Sequence, residues 1–211
     1  MKFLDLHTHS ILSFGVDTQE RMLYHAKNLG VEIGLCDGNS ECRKRENPCG
    51  IEIFAKNKNE LKRGLAKSNG YDYVVVHGGD EHVNRLAASD KRVDILAHPG
   101  KGRKDSGVDP FVARQAEENN VSIEVNISTL TSSIGGPRIN AIKNVKRYLM
   151  LSRKYGFDIV VTTGAKSRFE LRSGVGASQM LRLLGFDASE VESSMETIPR
   201  SIIEENFGET L

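Results

Sequence analysis

The chain has 211 residues, 38% of them hydrophobic and 27% charged, and a formal net charge of +1, which is length enough for one substantial domain and no reason to require two. Its longest apolar runs, such as residues 73–76, are far too short for a bilayer, and the first nine residues have neither a signal-length apolar stretch nor a cleavage site, so a cytoplasmic protein with no membrane partner is expected. Cys36, Cys42 and Cys49 are odd in number and lack the paired spacing of a zinc site, which points to reduced thiols. In chain order, short Val- and Ile-rich runs at residues 3–6, 31–36, 50–54, 71–76, 94–97, 121–125 and 158–162 read as buried strands. Helical periodicity fills several of the gaps, at residues 18–28, 59–67, 110–119 and 138–155. Strand and helix alternate without a dinucleotide-type glycine fingerprint. That predicts an α/β fold, a single distorted TIM-like (β/α) barrel of seven or eight parallel strands forming one domain over residues 1–211.

Charge is unevenly spread. Residues 138–172 hold nine Lys or Arg against Asp158 and Glu170, while residues 187–211 hold seven Asp or Glu against Arg200. This suits a basic surface for a polyanion and an acidic end for a basic protein partner, or else two solvated helix faces of opposite sign. On the helix at 138–155, Ile139, Ile142, Val145 and Leu149 fall on one side as a core stripe. Lys143, Arg147 and Lys154 form a second ridge, able to follow a phosphate backbone or simply to face solvent.

The first strand runs into Asp5-Leu6-His7-Thr8-His9-Ser10, and a two-residue spacing in extended chain aims both imidazoles to one side. Further polar residues sit at successive strand ends: Asp37, Glu52, His77, His98, and Glu124 with Asn126. The carboxyl-terminal rim of a barrel is where functional groups gather. The opening motif, with Glu52 and Ala97-His98-Pro99 behind it, resembles the polymerase and histidinol phosphatase (PHP) superfamily of metal-dependent phosphoesterases. The resemblance implies metal-ligand roles for His7, His9, Glu52, His77 and His98. The chain departs from that pattern at Ser13-Phe14-Gly15 and Asp37-Gly38, and again at Gly164-Ala165-Lys166, where a lysine stands in place of a ligand. A lysine in the shell opposes a multinuclear cluster.

A closer resemblance spans nearly the whole chain. Gly78-Gly79-Asp80, Asn84-Arg85-Leu86-Ala87, Val93-Asp94-Ile95-Leu96-Ala97-His98-Pro99, Glu124-Val125-Asn126, Arg153-Lys154-Tyr155 and Leu171-Arg172-Ser173 are similar to archaeal ribonuclease P protein component 3. That family, with the thirty-kilodalton subunit of eukaryotic ribonuclease P, is a divergent branch of the PHP superfamily. The resemblance implies an RNA-binding and assembly subunit in tRNA 5′ processing. Its partners would be ribonuclease P RNA, other ribonuclease P protein subunits and, indirectly, precursor tRNA. Catalysis would come from the RNA with its bound Mg²⁺, and the eroded PHP site would hold at most a weak single ion. Arg85, Arg103, Lys104, Arg138, Lys154, Lys166, Arg168 and Arg172, in loops or beside strand ends, are the cations expected to meet phosphates. The competing expectation is a stand-alone metal phosphoesterase using His7, His9, Glu52 and His98.

Overall fold

The computed structural model describes residues 2–38 and 47–208. In chain order it has β1 (Leu4–Thr8), α1 (Gln19–Asn28), β2 (Glu32–Leu35), β3 (Gly50–Phe54), α2 (Lys58–Leu65), β4 (Tyr73–His77), α3 (Glu81–Ala88), β5 (Ile95–Ala97), α4 (Pro110–Glu118), β6 (Ser122–Asn126), α5 (Ile127–Thr131), α6 (Gly136–Tyr155), β7 (Ile159–Thr162), α7 (Gly174–Leu184), α8 (Ala188–Glu192) and α9 (Ile198–Gly208), with a π turn at Ser193–Thr197. All seven expected strands are present, and the alternation gives the predicted α/β class. Two compact units share the chain: Met1–Ile51 with Gly70–Tyr73 and Val161–Leu211, and Glu52–Asn69 with Val74–Val160.

In the first unit β1 pairs in parallel with β2, Leu4 opposite Glu32 and Asp5 opposite Ile33. Parallel bridges Thr8–Ala165 and Leu35–Cys49 continue that pairing. All five β1 residues are buried, as a strand covered on both faces requires. Gly15 lets the chain after β1 fold back against its end, because a Cβ there would lie 2.2 Å from the His9 carbonyl oxygen. Cys36 is a free, buried thiol donating to the Leu6 carbonyl at 3.2 Å. Cys49 is disulfide-bonded, which corrects the expectation of reduced thiols throughout; an odd count requires one free thiol, not three. Cys42 lies outside the described residues. Helices α7 to α9, which periodicity alone did not single out, complete this unit.

The five-stranded sheet has the order β3-β4-β5-β6-β7, with β4–β5 and β5–β6 parallel. Its strands carry side chains such as Val75, Val76, Ile95, Leu96, Ile123 and Val160, all fully buried. The helices between them start on side-chain caps that satisfy otherwise orphaned amides: Asn57 for α2, Asp80 for α3, Asp109 for α4. Helix α6 departs from expectation in what it buries. Val145, Tyr148, Leu149 and Leu151 are its buried residues, whereas Ile139 is 54% exposed. The apolar stripe is covered only along the second half of the helix, so the first two turns stand clear of the core.

Candidate functional site

In the first unit, the end of β1 is built from buried polar side chains that hydrogen-bond to one another. Asp5 is buried and accepts from the Thr163 amide at 3.1 Å, from the Thr163 hydroxyl, and from the His7 amide at 3.2 Å. Burial nonetheless pushes its carboxyl up to about 6, because the desolvation of a charged carboxylate outweighs those bonds. His7 and His9 are buried with their rings edge to face, centroids 5.1 Å apart, so the two-residue spacing does place them together. His9 Nδ1 lies 3.1 Å from Ser13 Oγ. Asp37 accepts from the Ser10 amide at 2.8 Å, the Ser10 hydroxyl at 2.6 Å, the Ser13 hydroxyl at 2.7 Å and Gln19 Nε2 at 2.7 Å. With four donors on two oxygens this carboxylate is a structural knot tying the post-β1 loop to β2, rather than an open ligand.

The same unit places three of the expected RNA-contacting cations. Arg168 is spent internally, its guanidinium paired with the buried carboxylate of Asp17 and its amide donating to the same group at 2.9 Å. Arg172 directs Nη1 to the carbonyls of Phe169 at 3.0 Å and Leu171 at 2.9 Å and meets no carboxylate among the described residues. Lys166 is exposed, and its ammonium has no ion-pair partner among the described residues.

In the second unit Glu52, His77 and His98 bring one potential ligand atom each to within 4.8 Å of one another. His77 Nδ1 is 2.7 Å from Glu52 Oε1, and Nε2 is 3.2 Å from Lys101 Nζ. An ammonium only donates, so Nε2 accepts from Lys101 and the Nδ1 proton goes to Glu52. In this arrangement His77 has no lone pair left for a metal ion, and the Lys101 ammonium already sits against its ring. The residues present therefore do not fit a resident metal at this trio. Lys101 was missed in the sequence because nothing in its spacing distinguishes it from any loop lysine. His98 takes a left-handed backbone, φ 50°, which costs a non-glycine residue roughly 1 kcal/mol. Its amide donates to Glu124 Oε2 at 2.9 Å.

Residues 98–109 after β5 form a pinned loop. Asn84 Nδ2 donates to the Pro99 carbonyl at 2.9 Å and to the Gly107 carbonyl at 3.0 Å, and the Tyr148 hydroxyl donates to the Ser106 carbonyl at 2.8 Å. Gly107 has φ +70°, and a Cβ there would lie 1.9 Å from the Pro99 oxygen, so only glycine closes this turn. Arg103 is held by Asp105 through two bonds of 2.5 and 2.9 Å, and that guanidinium holds the Asp105 carboxyl below the usual carboxylate range. Arg85 pairs with Asp109 at 2.6 Å and Glu81 at 3.3 Å. Lys104 and Arg138 are exposed, Arg138 donating to the Thr131 carbonyl at 3.1 Å. Lys154, also exposed, sits over the Tyr155 ring. Between this loop and the first half of α6 lies a cleft of about 350 Å³.

The eight expected cations thus divide. Arg85, Arg103 and Arg168 are matched to carboxylates, whereas Lys104, Arg138, Lys154, Lys166 and Arg172 have no carboxylate partner among the described residues.

Known proteins resemble this chain in sequence and in fold. The family model for RNase P subunit p30 matches residues 7–208. Ribonuclease P protein component 3 of Methanothermobacter thermautotrophicus is 31% identical over 224 residues, covering 98% of this chain and 90% of that protein. The protein of the same name from Methanococcoides burtonii is 34% identical over 212 residues, covering 96% and 87%. A chain in the cryo-EM structure of archaeal ribonuclease P with mature tRNA has a TM-score of 0.80 at 22% identity, covering 95% of this chain and 90% of its own. A crystal structure of an Agrobacterium tumefaciens protein reaches 0.63 at 12% identity, covering 96% and 95%. The two structural likenesses bear on the fold, which they share. With a family model spanning nearly its whole length and relatives above 30% identity, this chain belongs to the RNase P subunit p30 family.

Proposed function

We propose that this chain is a protein subunit of ribonuclease P that binds and helps assemble the catalytic RNA for removal of the 5′ leader from precursor tRNA. The observation that carries the reading is the family match over residues 7–208, and the Lys101 ammonium on His77 supports it, since a cation in the ligand shell suits a binding subunit better than a metallophosphoesterase. The chain's partners are then ribonuclease P RNA, the other ribonuclease P protein subunits and, through them, precursor tRNA. Mg²⁺ acts with the RNA, and the His7, His9, Glu52, His77 and His98 set serves structure, holding no ion that the reaction needs. Phosphate contact falls first to Lys104, Arg138, Lys154, Lys166 and Arg172, whose charges meet no carboxylate among the described residues. Arg85, on α3, and Arg168 act through the carboxylates they hold, at Asp109 and Asp17, and Arg103 keeps the edge of its guanidinium on Asp105. No helix among the described residues is long and apolar enough to cross a membrane, and a cytoplasmic location is part of the proposed role. The Cys49 disulfide is unusual for a reducing compartment.

The test is reconstitution of the cognate RNA and protein subunits with and without this chain, scored by precursor tRNA cleavage. Omission should lower cleavage at limiting Mg²⁺, because the protein's cations no longer offset repulsion between RNA helices. Unchanged cleavage over a Mg²⁺ titration would overturn the reading.

A further inference from the structure

The cleft beside α6 has features that a plain assembly surface does not need. Its α6 wall is one helical face in which Pro137, Asn140, Ala141, Asn144 and Tyr148 recur at spacings of three and four. The side-chain amides of Asn140 and Asn144, one turn apart, make no hydrogen bond among the described residues and open onto the cleft. Its other wall is the loop that Asn84 and Tyr148 pin through three carbonyls. Arg103 on that loop lines the cleft and is fixed by its two-bond fork to Asp105, which uses the edge of the guanidinium rather than its planar faces. A volume of about 350 Å³ lies at the small end of ligand pockets, roughly 300 to 1,000 Å³. That suits one nucleotide and excludes a paired stem.

We propose that this cleft receives a single unpaired nucleotide of RNA, its base stacked on the Arg103 guanidinium and read at its edge by the amides of Asn140 and Asn144. Proteins read RNA sequence where bases are unstacked and splayed out, on aromatic rings or guanidinium planes, with amides supplying both donors and acceptors to the base edge. The rigid loop keeps both walls in place before binding, so little ordering is lost when the base enters. The inference rests on the RNA-binding role proposed above and adds a base-specific contact to it.

The two kinds of contact respond differently to salt. Loss of a phosphate contact lowers the slope of log affinity against log salt by about 0.7 to 0.9, whereas loss of a neutral amide contact lowers affinity at constant slope. Asn144→Leu and, separately, the exposed Asn140→Leu should weaken binding of the full chain to ribonuclease P RNA by roughly tenfold, the size of one or two lost hydrogen bonds, with the salt slope unchanged. In the reconstituted complex one unpaired nucleotide, protected by the wild-type chain from a base-modifying reagent, should become reactive. Asn140 lies on an exposed turn, so its variant keeps the test clear of misfolding. If both variants match the wild type in affinity and in every nucleotide's reactivity while Arg172→Ala still weakens binding, the cleft is not a nucleotide site and the RNA-binding role stands. If the wild-type chain itself does not bind the RNA, both proposals fall.

Discussion

At the scale of single residues the chain separates cations that are committed from cations that are available. The guanidinium of Arg168 neutralises Asp17, whose side chain is 7% exposed, and removing it strands a buried carboxylate. Arg168→Ala should therefore lower stability by about 2 kcal/mol or more, read as a drop in the urea midpoint. Arg172→Ala is the complementary case, because Nη1 caps two carbonyls and no carboxylate among the described residues depends on it. RNA affinity should fall by about one to two powers of ten, and the salt slope by about 0.7 to 0.9, with only a small change in the melting temperature. A sharp loss of stability with unaltered affinity would make Arg172 a structural cap instead. Asp5 gives a prediction in pH. Burial raises its carboxyl to about 6 from 3.8, so the folded protein holds a proton that the unfolded chain has released. Stability is then greatest below about pH 4 and declines until about pH 6, by on the order of 3 kcal/mol. Asp5→Asn should remove that contribution, so the difference in urea midpoint between wild type and variant changes between about pH 4 and about pH 6. A difference that stays constant would show that Asp5 keeps its ordinary titration.

The element that matters most is the loop after β5 together with α6. Tyr148→Phe removes the donor to Ser106 and leaves a buried carbonyl unmet, a cost of about 1 to 2 kcal/mol. Amide exchange should quicken at residues 106–108 while β5 and β6 keep their protection. Gly107→Ala is harsher, since φ +70° and a 1.9 Å approach to the Pro99 oxygen force the turn to open, costing about 2 kcal/mol or more. How legible this was depends on what each pattern measures. Strand positions followed from β-branched runs, and α6 was placed to within two residues at its start and ended where expected. The burial of Ile139 was misread because periodicity reports one face of a helix, not how far along it a neighbour extends. Lys101 and the Asn140–Asn144 pair were invisible because their roles arise from a loop and a helix distant in sequence. Asp37 and Arg168 looked like rim chemistry until their partners were seen.

For the whole molecule, the expected outcome is that purified protein free of RNA does not mature precursor tRNA with multiple turnovers at ordinary Mg²⁺; turnover there, lost in His9→Ala, would favour the metallophosphoesterase. The alternation of strands and helices made the α/β class readable from composition and period, and the ordered tripeptides made the family readable. The distribution of partners among the arginines depended on tertiary neighbours and could not be read in advance. The Lys101 ammonium on His77 has a practical consequence for work on the assembled particle. A positive charge tethered by covalent bonds cannot be stripped by EDTA or exchanged for manganese or cobalt. The expected outcome is that chelator treatment and metal rescue of the holoenzyme leave the Glu52, His77 and His98 trio unaltered, so that any effect they have reports on ions held elsewhere.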